Sequence, residues 1–266
     1  CVAAAAAFEE LLAESGQDID ALFSLGVVRH RMGQLESARA AFRESSRLDA
    51  KHLQARIALA AVCLELGDVV SATTSCAEAV ALAPENPQAW FSLAVAQQAA
   101  LLPGEALASY DRAIALQPLF FDALTNRGTL LLSLGKFREA VENNSFFAAK
   151  QPYSSAAQFS LGESLIAAGS YAEAAQALRR AVQLAPNNPR VLLHAGFALA
   201  QVERFSEAQT LLDRAAELDH AQSVEYRRSI FGADALSGTS ILDAQALFLL
   251  RHYDAIERCD WRERSY

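Results

Sequence analysis

The residues of this 266-residue chain best able to ligate a metal or act as nucleophile or base are five histidines and four cysteines. The cysteines, Cys1, Cys63, Cys76 and Cys259, form neither a C-x-x-C nor a Cys/His cluster, so no metal site is implied. No G-x-G-x-x-G after a strand pattern, P-loop, H-E-x-x-H or G-x-S-x-G occurs. His30 and His194 lack a nearby nucleophile or carboxylate arrangement and read as binding or surface residues. Asn143-Asn144-Ser145 matches a glycosylation sequon but falls inside a predicted helix, and no function is assigned to it. No catalytic residue and no cofactor is expected, so the chain is not read as an enzyme.

The chemistry that remains is recognition. Phe23, Val27, His30 and Arg31 form one group of candidates, and Phe91 and Val95, with Gln98 beside them, form a second. Thr125, Asn126 and Thr129 follow, then Phe159 and Glu163, then His194 and Phe197 with Arg190 nearby. Phe23, Phe91, Phe159 and Phe197 recur at equivalent or adjacent positions, giving an apolar stripe edged by polar groups. Such a stripe suits a peptide or an amphipathic helix. Two readings of the rings stay open: they face a partner, or they pack against neighbouring helices. Phe91 and Phe159 occupy one repeat position and are expected to lie along one surface.

What must position these side chains is a strict period. Gly26, Ala60, Ala94, Gly128, Gly162 and Gly196 stand 34 residues apart, as do Ala38, Ala72, Ala106, Ala140, Ala174 and Ala208. Pro84, Pro118, Pro152 and Pro186 close the units. A fixed 34-residue period, alanine-rich helical patterning and the lack of strand-like alternation predict an array of helical hairpins. A hairpin with one apolar face must stack on its neighbours to bury it. The small residues are expected to let each first helix approach the alanine of the second, with Phe42, Tyr110, Leu178 and Leu212 filling the space between hairpins.

These positions resemble the tetratricopeptide repeat, most completely over Ala89-Trp90-Phe91-Ser92-Leu93-Ala94, Ala106, Tyr110, Ala113 and Pro118. The resemblance implies an all-α, right-handed solenoid of antiparallel helix pairs whose first helices line a concave, protein-binding face. Members that clamp a C-terminal carboxylate need polar or basic groups where Phe23, Val27 and Ala58 stand, which disfavours that use here. The expected organisation is 1–18 as the second helix of a truncated repeat, 19–222 as six repeats, and 223–266 as an irregular helical cap or linker.

Several copies depart from the pattern. Leu101-Leu102-Pro103-Gly104 replaces the usual turn glycine in the third, and Glu203 replaces it in the sixth. The fourth has Arg127 and Asn144 where large apolar residues are usual, and Phe146 and Phe147 are expected to compensate. Cys63 and Cys76 fall at packing positions and read as buried thiols. A formal charge of −8 disfavours nucleic-acid and anionic-membrane binding. There is no apolar run long enough to span a bilayer and no signal-peptide pattern, so a cytoplasmic protein is expected. Cys1 reads as an interior residue of a longer chain rather than a lipidated terminus, because no flexible tether follows it. Self-association is left open.

The leading expectation is a scaffold that binds a partner's peptide or helix along the first helices. The alternative comes from Leu250 to Trp261, whose Cys259-Asp260-Trp261 resembles the junction between repeats and catalytic half in O-linked GlcNAc transferases. That resemblance implies a recognition region of a larger glycosyltransferase, although the inner asparagine ladder of those enzymes is represented here only by Asn126.

Overall fold

The computed structural model describes residues 2–15 and 17–218. Thirteen α-helices occupy them: α1 (Val2–Ser15), α2 (Ile19–Arg31), α3 (Leu35–Leu48), α4 (Leu53–Glu65), α5 (Val69–Leu82), α6 (Pro87–Ala99), α7 (Pro103–Leu116), α8 (Phe121–Ser133), α9 (Phe137–Lys150), α10 (Ser155–Ala167), α11 (Tyr171–Leu184), α12 (Pro189–Gln201) and α13 (Phe205–Leu218). No strand occurs among the described residues. The chain divides into two compact units, 1–130 and 131–266, with the division inside α8. Each is a stack of helix pairs. The end of the expected sixth repeat at 219–222, the expected cap at 223–266 and the transferase-like Leu250–Trp261 lie outside the described residues.

The period governs the helix ends as well as the core. Asp18, His52, Asn86, Ser154 and Asn188, all members of one 34-residue series, accept backbone N–H groups at the starts of α2, α4, α6, α10 and α12 at 2.9–3.3 Å. Each cap satisfies a donor that the helix leaves unpaired, an effect of about 1 kcal/mol. Phe120 holds this place before α8, and its ring packs on Phe91 at 5.0 Å.

At the opposite end of each first helix the chain reverses through a residue with positive φ: Gly33, Gly67, Leu101, Gly135, Gly169 and Glu203. The next residue's N–H returns to the carbonyl five residues back, as from Gln34 to Arg29 and from Leu102 to Gln97, both at 2.9 Å. This is the Schellman arrangement that glycine accommodates best. The third and sixth turns keep this geometry although their sequences lack the glycine. Leu101, at φ 59°, and Glu203, at φ 61°, hold it against a penalty of about 1–2 kcal/mol for an L residue. Pro103 starts α7, where its missing N–H costs nothing.

Packing inside the pairs differs from the sequence expectation in one respect. The glycines make room first for the large residue of the partner helix, with the alanine close as well at Gly196, where an added Cβ would lie 3.3 Å from Ala208 O. A Cβ at Gly26 would lie 2.5 Å from Cε1 of Phe42, one at Gly162 would collide with Leu178, and one at Gly196 would sit 2.8 Å from Cγ of Leu212. These large groups thus fill their own pair's interface rather than the space between pairs. Where the first helix carries Ala60, the matching residue shrinks to Cys76, and both are buried in one cluster with Ala38, Phe42, Cys63 and Ala72. The unpaired Cys63 and Cys76 thiols are buried, and burial pushes Cys76 up to about 12, so it stays a neutral, inert thiol. A second cluster of the first unit gathers Ala94, Ala106, Tyr110, Ala113, Ala123 and Leu130. In the second unit Leu165, Ala174, Leu178, Leu199 and Ala208 form one cluster, and Leu192, Leu193, Leu212 and Ala215 another.

The expected compensation around Asn144 is only half correct. Phe147 is buried, but Phe146 is exposed, under the Lys150 ammonium at 5.6 Å. Asn144 itself is 1% exposed and donates to Ser160 O at 3.1 Å and to Ser164 Oγ at 2.6 Å, while Asn143 donates to its Oδ1 at 2.8 Å. Hydrogen bonds to α10 therefore replace apolar filling. Burial of Asn143 also removes the sequon's acceptor from solvent.

Two stability predictions follow from these contacts. Gly26→Ala and Gly162→Ala should each destabilise the protein by about 1–3 kcal/mol through overpacking. Gly104→Ala, where an added Cβ meets nothing within 4 Å, should stabilise it by about 0.4–1 kcal/mol. Urea melts that gave all three variants the same sign would refute the assigned packing. Gln158 is 2% exposed and its Oε1 has no hydrogen-bond partner among the described residues, whereas Leu124 and Leu192, its equivalents one repeat away, are buried leucines. Gln158→Leu should raise stability by about 1 kcal/mol or more, visible as a higher Tm.

Candidate binding surface

Within each unit the first helices of successive pairs touch one another, α2 with α4 and α4 with α6 in one, α10 with α12 in the other. The candidate side chains project from these helices. In the first unit Phe23 is partly buried, 5.6 Å from the ring of Phe42 and 5.1 Å from that of His52. Val27 packs partly buried on the same cluster. His30 Nε2 lies 2.6 Å from Glu65 Oε1, which joins α2 to α4, and Arg31 is exposed beside it. Phe91 lies between Tyr110, at 6.1 Å, and Phe120, at 5.0 Å. Its indole neighbour Trp90 donates Nε1–H to Pro84 O at 2.7 Å, fixing the entry to α6.

Val95, Asn126 and Thr129 meet in one cleft of about 350 Å³, with Gln98, Ala99 and Tyr110 completing its wall. The Thr129 hydroxyl donates back to Thr125 O at 3.1 Å, and that of Thr125 to Phe121 O at 2.9 Å. Both threonine oxygens are left as acceptors. The Tyr110 hydroxyl donates to Gln98 Oε1 at 3.1 Å. Burial, the larger influence, pushes its pKa up against a downward pull from Asn126, so it remains a phenol. Tyr110 is the member of the group that sequence reasoning assigned wholly to packing. The available signal was its hydroxyl: the equivalent positions hold Phe42, Cys76, Asn144, Leu178 and Leu212.

In the second unit Phe159, Glu163 and His194 come together around Arg190. The guanidinium stacks over the Phe159 ring at 4.9 Å and donates to Glu163 Oε1 at 2.6 Å. His194 meets the same ring edge-on at 4.9 Å, bonds through Nδ1 to Arg190 O at 2.9 Å, and brings Nε2 to 3.5 Å from Glu163. A carbonyl accepts only, so Nδ1 carries the proton. Phe197 stands apart from this group, edge-on to Tyr171 at 6.0 Å, and Leu193 is buried core. The four phenylalanines are thus partly buried walls braced by neighbouring side chains, with polar groups at their margins. Among the described residues no group of His, Cys, Asp and Glu is arranged to hold a metal, and no helix is long and apolar enough to cross a membrane.

Sequence models of the tetratricopeptide repeat match residues 3–50, 31–87, 91–143, 125–189 and 165–228. No curated protein matches the chain. Among solved structures the chain is similar to PilW, a type IV pilus biogenesis factor, with a TM-score of 0.67 and 18% identity, covering 79% of this chain and 97% of that one. It is also similar to a tetratricopeptide repeat protein from Parabacteroides merdae, with a TM-score of 0.62, 15% identity and coverage of 87% and 98%. Pseudomonas aeruginosa PilF gives a TM-score of 0.58 at 23% identity, with coverage of 75% and 89%. At these identities the likeness is one of fold.

The Arg190 cluster makes a pH prediction. Burial, the largest influence, and the charge of Arg190 hold His194 below its ordinary range, against the upward pull of the Arg190 carbonyl and Glu163. The unfolded chain, with a histidine pKa of about 6.5, then binds the extra proton first as pH falls. Stability from neutral His194 is therefore full above about pH 6.5 and is lost progressively below it. Urea melts at pH 7 and pH 5.5 should show a larger drop for the native protein than for His194→Asn. Parallel drops would mean that His194 does not titrate differently on folding.

Proposed function

Because the chain belongs to the tetratricopeptide repeat family, we propose that it is a non-enzymatic scaffold that holds a segment of a protein partner against its first helices. The observation that carries this reading is the cleft between α6 and α8, where Val95, Asn126 and Thr129 surround about 350 Å³ of open space. It joins an apolar wall to hydrogen-bonding side chains on rigid helices, as peptide recognition requires. Phe91 beside it, and Phe159 under Arg190 in the other unit, supply aromatic area whose conformation is already restrained by ring contacts. Such preorganisation limits the entropy lost on binding. The fully buried, unpaired Cys63 and Cys76 are in keeping with a reducing compartment such as the cytoplasm.

A library of linear peptides displayed on phage and panned on the full chain tests the proposal. Peptides should be retained, and Phe91→Ala or Phe159→Ala should each weaken the clones that depend on its unit by about 1 kcal/mol or more. Tm must be recorded with each Kd, because both rings also contribute to packing. Failure to retain any peptide, or affinities per folded molecule unchanged by both substitutions, would overturn the assignment of the first-helix face.

A further inference from the structure

The second unit opens a cavity of about 240 Å³ between its second helices α11 and α13, with α12 forming the floor. Ala175, Ala195 and Leu199 are its buried base, and the partly buried Val182 and Leu211 are its walls. Its cause lies in the sequence. Ala195 belongs to the 34-residue series of Leu25, Leu59, Leu93, Arg127 and Leu161, and Ala175 to a series that holds Leu107 and Val141. One repeat earlier, Val141 and Leu161 occupy the matching places and pack on the core of the unit. Val182 and Leu211 are larger than their equivalents Ala148 and Ala177, but they stand at the sides and leave the space between them open. An apolar void forfeits dispersion contacts and lowers stability, and nothing in the period requires one at this place.

The mouth of this cavity is charged. Arg179, Glu207 and Thr210 line it and are exposed. Glu207 Oε1 accepts from Arg204 Nε at 2.7 Å and also from Arg204 Nη2, whereas Arg179 Nη2 stays 3.7 Å from Oε2, beyond hydrogen-bonding reach. The Thr210 hydroxyl gives its proton to Ser206 O at 2.9 Å. Among the described side chains that line the cavity, Arg179 is therefore the one with donors to spare, and the mouth holds two arginines to one glutamate. Arg179 and Glu207 are each 48% exposed, so their pair contributes little and an incoming anion displaces it at small cost.

We propose that this cavity binds a small carboxylic acid whose apolar body, one aromatic ring or a chain of about six carbons, fills the space while its carboxylate meets Arg179. An apolar cavity of about 150 Å³ already admits a benzene ring, so 240 Å³ holds a ring with a short arm. The planar guanidinium offers a carboxylate two parallel hydrogen bonds. An apolar peptide side chain entering here would bring no charge for Arg179, and a cationic ligand would meet a Glu207 already held by Arg204. A small acid matches both the apolar base and the mouth. The site belongs to the other unit from the cleft of Val95, Asn126 and Thr129, and it does not depend on the peptide-scaffold reading.

The full chain titrated with phenylacetate and followed by ligand-observed NMR should show saturable binding. Phenylacetamide, which has the same shape without the charge, should bind about fivefold or more weakly, and phenethylamine no better than the amide. Arg179→Met keeps the apolar stem of the side chain and should bring the acid to within about twofold of the amide, whose own binding stays unchanged. Ala195→Leu restores the residue of the other copies and should abolish binding of both compounds while leaving Tm at or above its native value, because it fills a void. Ala175→Val, the residue type at 141, is the second filling variant and carries the test should the leucine lower Tm. No saturable binding of the acid, binding that persists in a folded filling variant, or an amine bound better than the acid would each overturn the assignment. A preference for acid over amide that survives Arg179→Met would overturn the role of Arg179.

Discussion

The packing of this molecule depends on one contact being possible: a side chain of the second helix, large in most pairs, seated over a position of the first helix that carries little or no side chain. Phe42 on Gly26, Leu178 on Gly162 and Leu212 on Gly196 leave no space for a methyl group. A helix pair held this closely buries Ala38, Ala174 and Ala208 as well, since alanine is large enough to fill what remains. The pair then presents two apolar flanks that neighbouring pairs must cover. Caps and turns follow the same 34-residue step, so each helix starts and stops where its packing face is in phase. Local hydrogen bonding and side-chain packing thus select the same arrangement, as consistent folding requires.

The period made the helices legible in the sequence because an uninterrupted 34-residue step admits no other regular structure with these alanine-rich faces. The identity of the facing residue was less accessible. Ala38 and Phe42 are four residues apart on α3 and share one helix face, so spacing alone does not decide which of them meets Gly26. The crossing of the two helices decides it. The geometry of the turns at Leu101 and Glu203 was not legible for a related reason: the residue types disfavour positive φ, but the Schellman hydrogen bonds and packing on either side impose it. Asn144 shows the limit of reading a polar residue as a defect, since its partners Ser160 and Ser164 lie on another helix.

Of the candidate surface, Val95, Asn126 and Thr129 could be grouped from repeat positions, as could Phe159, Glu163 and His194. Arg190 and Gln98 stood near them in the reading, but their partners did not. The Arg190 guanidinium is placed by both a ring and a carboxylate, and its exposure limits the Glu163 pair to a small energetic role. Hydrogen bonds of this kind are set by rotamers, which a pattern of residue types does not specify.

The third repeat brings its departures to one place. It has Ala94 rather than glycine, a tyrosine opposite, a leucine in the left-handed turn, and Gln97 accepting from Ser109 at 2.6 Å inside the pair. The inner residues of α6 and α7 are thereby linked by two polar contacts, Ser109 to Gln97 and Tyr110 to Gln98. Apolar filling of these positions would pack as well, as the leucines at 178 and 212 do, and would avoid the desolvation of a phenol. A buried hydroxyl is tolerated when its proton finds a partner. In this pair Gln98, which accepts from Tyr110, also lines open space, so the contact that permits burial of the hydroxyl ties one amide of the cleft to the packing of the pair.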